Sequence, residues 1–406
     1  MKSTLEKLYS IFFVLLGLSI PLSIAVTNIL IGLIAICWLL EGQFKIKANK
    51  IRHNKWMLSI ILLYVMYCFG MLWGDNHQNA LWIFKKLSLL LILIVFGTSK
   101  LKQSALKLGT LLFLFSTLFS AIVAILINYQ VILPLHNYLS VISENRSISA
   151  FTTYNYHTIL LTFSSLIFFF LVAEKKSKYT LGLILCYLII TYSIFSEGGR
   201  AGQLIFSLLF GLYSIYYFKK RRLLSIGLIV FVSLCNYCAY NESNTFKTRV
   251  DEASKIIQTE IITNDTTNAY SPNQNIRTVF LREGINYIMK KPMFGYGTGS
   301  FGTIFNREIH SGHEYYVNTT PHNSYVFTWF EIGIFGLFIL LSMFYFQIKT
   351  LSRLNYRFDR RLLPIGFMTI MLFDSYLFIF IMSVFYSYFF TIYNNYSFEN
   401  SEKNSR

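Results

Sequence analysis

The chain has 406 residues, 54% of them hydrophobic and 18% aromatic, with only 14% charged. That balance excludes an ordinary soluble domain. Apolar runs of roughly 17–20 residues, long enough to cross a bilayer, recur along most of the length and predict an all-α, polytopic membrane protein. The net charge of +17 would suggest a nucleic-acid partner in a soluble protein. Here the basic residues sit in short clusters between apolar runs, where they act as topology signals.

Residues 11–40 fit two tightly connected helices, turning near Thr27 and Asn28, and are followed by Lys45, Lys47, Lys50, Arg52 and Lys55. The first apolar stretch is too long for a signal-peptide core and shows no cleavage site, so it is expected to be retained. A third span is expected over 56–73, then the polar patch Gly74-Asp75-Asn76-His77-Gln78, then a fourth span over 87–97 ending before Lys100, Lys102 and Lys107. A fifth runs to residue 128, and 129–157 is mixed and polar. The sixth, over 158–173, precedes Lys175, Lys176 and Lys178, and the seventh, over 181–195, ends in Ser196-Glu197-Gly198-Gly199-Arg200. The eighth, over 201–218, ends in Lys219-Lys220-Arg221-Arg222, and the ninth covers 223–240. A long polar loop occupies 241–321. The tenth span, over 323–346, precedes Lys349, Arg353, Arg357, Arg360 and Arg361. Residues 362–393 fit a final helical hairpin and 394–406 a polar, disordered tail.

The basic clusters fall after every second span. A count of about twelve spans puts each of them, and both termini, on one side, which the positive-inside rule makes the cytoplasm. The organisation is then transmembrane helices 1–9 over 1–240, an extracytoplasmic helical loop over 241–321 (periplasmic in a bacterium), helices 10–12 over 322–393 and a cytoplasmic tail. The five cysteines all lie in apolar runs. Cys235-Asn-Tyr-Cys238 has CxxC spacing but no further metal ligands nearby, which fits membrane packing.

Chemistry concentrates on the outer face. In Thr319-Thr320-Pro321-His322-Asn323-Ser324-Tyr325, Thr320 suits an N-cap and Pro321 the first helical position. His322 then falls in the first turn, where the helix dipole disfavours imidazolium and leaves a neutral ring able to take a proton. The bland alternative is an interfacial cap. Arg200 lacks a second basic neighbour, unlike the cytoplasmic clusters, and Gly198 and Gly199 before it permit close approach. The alternative is a snorkelling arginine, or one paired with Glu197. In the loop, Ile276, Phe280, Ile285 and Ile288 form an imperfect helical stripe that Pro292 ends. Arg277 and Arg282 on the same helix are five apart, offset around its axis, and need not share one target. Gly295, Gly297 and Gly299 form a turn. Lys290 and Lys291 fit a solvated or headgroup-facing end. Gly297-Thr-Gly299-Ser-Phe-Gly302 spells GxGxxG, but no strand or βαβ unit surrounds it, so it is no dinucleotide site. His310 and His313 with Glu308 and Glu314 are loosely spaced for a metal, and none is expected.

Spaced arginines and a neutral histidine outside the cytoplasm suit transfer of a sugar from a lipid pyrophosphate. Arginine forks bind phosphate oxygens and stabilise the departing charge, while a base activates an acceptor hydroxyl. The polyprenyl tail of such a donor would lie in the bilayer.

The sequence resembles the O-antigen ligases, within a wider group that includes O-antigen polymerases and bacterial O-oligosaccharyltransferases. That family's pattern is His, then Asn, Ser or Gln, nine residues, Gly, two residues and a small residue. His322-Asn323, nine residues, then Gly333-Ile-Phe-Gly336 fits it in full. The family's Ser-Arg pair corresponds to Gly199-Arg200, with the serine replaced. Its loop arginine corresponds best to Arg277, with Arg282 as the alternative, ahead of Pro292, Gly295 and Gly297. The resemblance covers roughly residues 191–337 by motif. It implies a GT-C-like glycosyltransferase of the bacterial inner membrane that moves O-antigen from undecaprenyl pyrophosphate to lipid A-core, with no metal, nucleotide or other cofactor. Arg200 and Arg277 (or Arg282) would hold the pyrophosphate, His322 would activate or orient the acceptor, and Asn323 would support either. Gly295, Gly297, Gly333 and Gly336 would be supporting residues. The alternatives are a polymerase using the same donor, a protein O-oligosaccharyltransferase, and a lipid or polysaccharide exporter, for which Asp374 is the clearest acidic residue within an apolar run.

Overall fold

The computed structural model describes residues 2–132, 150–174, 179–217, 222–242, 247, 251, 276–308, 320–353 and 360–395. Among these there are helices and no strands. In chain order the helices are α1 (Lys2–Ser19), α2 (Ile24–Glu41), α3 (Phe44–Arg52), α4 (Lys55–Gly70), α5 (His77–Leu87), α6 (Leu91–Thr98), α7 (Gln103–Asn128), α8 (Tyr154–Glu174), α9 (Thr180–Ser196), α10 (Arg200–Tyr217), α11 (Arg222–Glu242), α12 (Ile276–Lys290), α13 (Ser300–Glu308), α14 (Ser324–Ser352), α15 (Leu362–Ile370) and α16 (Phe380–Asn395). Among the described residues, five stretches are long and apolar enough to cross a membrane: Ile24–Glu41, His77–Thr98, Gln103–Asn128, Tyr154–Val172 and Ser324–Ser352. Shorter apolar helices cover Lys55–Gly70, Thr180–Ser196, Arg200–Ile215 and Ser225–Cys238. The protein is thus an all-α membrane protein.

The centre of the bundle is the last helix. Every residue of α16 from Ile381 to Tyr393 is buried. An apolar surface all round a helix requires neighbours all round it. Tyr388 stacks on Phe13 of α1 at 4.4 Å, Phe389 meets Phe113 of α7 at 4.6 Å, Phe385 meets Phe163 of α8 at 5.3 Å and Phe390 meets Trp56 of α4 at 5.0 Å. The hydroxyls of Ser387 and Thr391 donate to carbonyls four residues back, which lets polar side chains sit inside this core.

Three boundaries differ from the sequence reading. The first hairpin turns at residues 20–23 rather than at Thr27 and Asn28. Pro21 blocks continuation of α1, and Ser23 caps α2 by accepting from the Val26 N–H at 3.3 Å. The fourth span starts at His77 rather than at 87, because Asn76 caps α5 through Asn79 N–H. The final hairpin forms, but its first arm α15 has nine residues, and its apex over 371–379 includes a 3-10 turn at Tyr376–Phe378. Asp374 therefore lies in the apex turn and not within an apolar helix.

Two ends of the bundle are distinguished by what they carry. At one end, the α4–α5 turn packs on residues 297–300, with Thr298 N–H donating to Gly70 O at 2.9 Å and Asp75 N–H to Ser300 Oγ at 3.0 Å. The apex of the last hairpin meets the starts of α14 and α8 at this same end, through Ser324 N–H to Met371 O at 2.9 Å and a Tyr156–Tyr376 ring contact at 6.3 Å. At the other end, Lys47 pairs with Glu41 at 2.9 Å, Lys55 sits over Phe346, Gln103 donates to Asn395 O, and Arg360 donates to Tyr393 O. The described basic linkers thus gather opposite the end that holds the start of α14.

Candidate active site at the mouth of α14

The helix starts three residues later than Thr320 and Pro321 suggest. Asn323 is the N-cap, its Oδ1 accepting from Tyr325 N–H and Val326 N–H at 3.0 Å each. His322 stands just outside the helix with φ of 54°, a left-handed conformation uncommon for a side-chain-bearing residue. The helix-dipole argument for a neutral ring therefore gives way to a direct partner: His322 Nδ1 lies 3.1 Å from Asp374 Oδ1. Asp374 Oδ1 also accepts from Ser375 N–H at 2.7 Å, which fixes the carboxylate.

The loop holding the histidine and the apex holding the carboxylate are tied together. Asn323 Nδ2 donates to Leu372 O at 3.1 Å, Ser324 Oγ to Asp374 O at 3.3 Å, and Tyr325 Oη to Met368 O at 2.7 Å. In the neutral ring, an Nδ1–H donated to the carboxylate leaves the lone pair on Nε2, the tautomer needed to accept a proton there. Both side chains are about one-fifth exposed, 20% for His322 and 21% for Asp374. Asp374 is the functional candidate that sequence reading misassigned. Its signal was present, since it is an acid bounded by Leu372-Phe373 and Ser375-Tyr376 in an apolar run, but its distance from His322 in the chain hid the pairing.

Loop helix α12 covers this histidine. Phe280 is buried, and its ring centroid lies 6.2 Å from that of His322. Arg277 falls in the first turn of α12, one turn before Phe280, and its side chain lies outside the described residues. Arg282 is half-buried and bonds its neighbour Glu283, Nε to Oε1, at 3.0 Å. Arg200 opens α10 and is exposed. Glu197 does not serve as its counter-ion, because its carboxylate is turned inward to His157 and Ser193. Gly199 makes room for a helix rather than a ligand. A Cβ there would strike the Thr158 side chain of α8, as it would at Gly202. Gly199→Ser, the residue resembling the family's Ser-Arg pair, is therefore expected to destabilise this chain by about 1–3 kcal/mol through overpacking, measurable as a lower unfolding temperature in detergent. Thr158→Ala in the same background should restore part of it.

The supporting glycines form a separate element, roughly 15 Å of helix from His322. Helix α14 breaks at Ile332 and Gly333, the latter at φ 73° and ψ −174°. A Cβ on Gly333 would collide with the Met293 carbonyl. Into this break fits the turn after α12: Tyr296 N–H donates to Phe330 O and Gly297 N–H to Glu331 O, each at 2.8 Å, and Ile334 N–H donates to Pro292 O at 3.0 Å. Gly295 and Gly297, both at positive φ, abut the Phe330–Glu331 backbone and Gly74. Gly336 faces the Ile332 side chain one turn back. Glu331, fully buried, accepts from Gly299 N–H and, at 3.0 Å, from Phe301 N–H. The GxGxxG turn does open a helix, α13, but its N-terminal amides are occupied by the protein's own carboxylate rather than offered to phosphate.

Among the described residues no group of three or more His, Cys, Asp or Glu is placed to hold a metal, and His310, His313 and Glu314 lie outside those residues. Residues 185–341 match the family model described as O-antigen ligase. That bears out the resemblance drawn over 191–337, and the matched region includes Arg200, Arg277, Arg282, His322, Asn323 and Gly333. No match is found among curated proteins.

Proposed function

The chain carries an O-antigen ligase family region at residues 185–341, and from that premise we propose that it is a glycosyltransferase moving O-antigen from undecaprenyl pyrophosphate to lipid A-core. The reaction would run at the periplasmic face of the inner membrane, on a GT-C-like scaffold of about twelve spans. The observation that carries this reading is the His322–Asp374 pair, 3.1 Å apart at the mouth of α14. It lies at the bundle end opposite the described basic linkers, and the buried Phe280 of the arginine-bearing loop helix packs beside it.

In this reading the acceptor hydroxyl attacks the anomeric carbon of the donor sugar, and the bond from that carbon to the pyrophosphate oxygen breaks. The hydroxyl proton passes to His322 Nε2, and the resulting imidazolium is stabilised by Asp374. Arg200 and Arg277, with Arg282 as the alternative to Arg277, neutralise the charge that builds on the leaving pyrophosphate. Asn323 positions rather than reacts: it caps α14 and ties His322 to the turn bearing Asp374. The glycines hold the loop against α14.

Lipopolysaccharide gels of a deletion strain complemented with wild type or Arg200→Ala test this assignment. The variant is expected to retain less than about 1% of the O-antigen bands, the scale expected when a charge-stabilising donor is removed, with lipid-linked polymer accumulating. A core bearing a single O-unit would instead identify a polymerase. An unchanged ladder would remove Arg200 from the site.

A further inference from the structure

We propose that His157 and Glu197 form a buried positioning pair that sets the place of Arg200. This rests on the reading of Arg200 as a donor-pyrophosphate ligand. His157 is in the first turn of α8 and Glu197 follows the last residue of α9, and both side chains are 0% exposed. His157 Nδ1 lies 2.9 Å from each oxygen of the Glu197 carboxylate, and Nε2 lies 2.8 Å from Ser120 Oγ of α7. Ser193 Oγ adds a bond to Glu197 Oε1 at 2.8 Å. Gln203, one turn into α10, reaches back and donates through Nε2 to Glu197 O at 2.7 Å and Ile194 O at 3.1 Å. Beside His157, Thr158 Oγ1 donates to Gly199 O at 3.3 Å. Residues 197 and 199 are thus fastened directly to α8, α9 and α10, and through His157 to α7, and Arg200 is the next residue out.

Stability alone does not explain the pair. A buried ionisable pair is often no better than apolar residues of the same volume, and within a membrane protein such groups tend to serve a specific geometry. The order Ser120–His157–Glu197 follows the hydroxyl–imidazole–carboxylate pattern of a nucleophile triad. With all three side chains sealed inside the bundle, no substrate reaches Ser120, and what the network controls is the adjoining turn. The same helix start links that turn to the histidine site, since Tyr156 meets Tyr376 at 6.3 Å, two residues from Asp374.

The test uses the full-length protein in membranes, with Arg200→Cys labelled by a charged, membrane-impermeant maleimide and corrected for the same protein lacking that cysteine. His157→Gln is expected to raise the labelling rate at position 200 by about threefold or more, since it removes a bonded partner from a fully buried network. Ser193→Ala, a milder cut in the same network, should raise it less, and serves if His157→Gln does not fold. In variants that keep Arg200, His157→Gln should lower kcat/KM for the lipid-linked donor about tenfold, and add no loss in an Arg200→Ala background. An unchanged labelling rate in folded protein, or losses that multiply across the two sites, would overturn the proposal. If Arg200→Ala alone leaves kcat/KM unchanged, the donor assignment fails, while the labelling rate still decides whether the pair fixes the turn.

Discussion

Replacing His322 with alanine is expected to lower glycan transfer by about 10²–10⁴-fold, the usual contribution of a positioned general base, with little change in unfolding temperature. The ring is only part-buried, with the Asp374 side chain and the Phe280 ring among its partners, so its removal opens no core cavity. Asp374→Asn should fall in the same range. An amide at that position can donate to Nδ1 and favour the wrong tautomer, while the isosteric side chain keeps the hairpin apex packed. Parallel losses in the two variants, non-additive when combined, would mark one unit. Full activity in Asp374→Asn would leave His322 without its proposed partner.

Gly333→Val is expected to be the most damaging change to the fold. The backbone at φ 73° and ψ −174° belongs to a region essentially confined to glycine, and the cost for another residue is about 1–3 kcal/mol before any contact is considered. The Cβ would also collide with the Met293 carbonyl. The break in α14 is what receives the 292–297 turn, and Glu331 beside it holds the start of α13. Expulsion of that turn would leave the buried Glu331 carboxylate without its bonded amides, a further cost of several kcal/mol. The expected result is loss of monodisperse protein in detergent, together with a loop that is cut by proteases at 291–299. Gly336→Ala, whose nearest contacts would be atoms of the Ile332 side chain rather than backbone, should be much milder. Equal stability of Gly333→Val and wild type would show that the break can relax into a straight helix.

Much of the architecture is written in local pattern. Runs of apolar residues bounded by Lys and Arg mark the spans, and the helices α7, α9, α10 and α11 begin and end within a few residues of where composition changes. What pattern does not encode is which helices meet. That α16 is central rather than peripheral depends on its packing partners from α1, α4, α7 and α8. At the candidate site, the capping argument from Thr320 and Pro321 misplaced the helix start, because Thr320 and Asn323 are both plausible caps and the structure uses Asn323, which also bonds the apex of the last hairpin. Asp374, Glu331 and His157 each act through a residue more than 29 positions away in the chain, and no local periodicity reports such pairs. The glycines were legible as a turn. Their purpose, to let backbone meet backbone at the break in α14, was not.

The most direct measurement of the central claim is transfer in liposomes holding purified protein, undecaprenyl-pyrophosphate-linked O-antigen and lipid A-core. Wild type should convert the acceptor to O-antigen-bearing lipopolysaccharide and release undecaprenyl pyrophosphate, and His322→Ala at equal incorporation should yield neither. Lengthened lipid-linked glycan with untouched lipid A-core, or unimpaired transfer by His322→Ala, would contradict it.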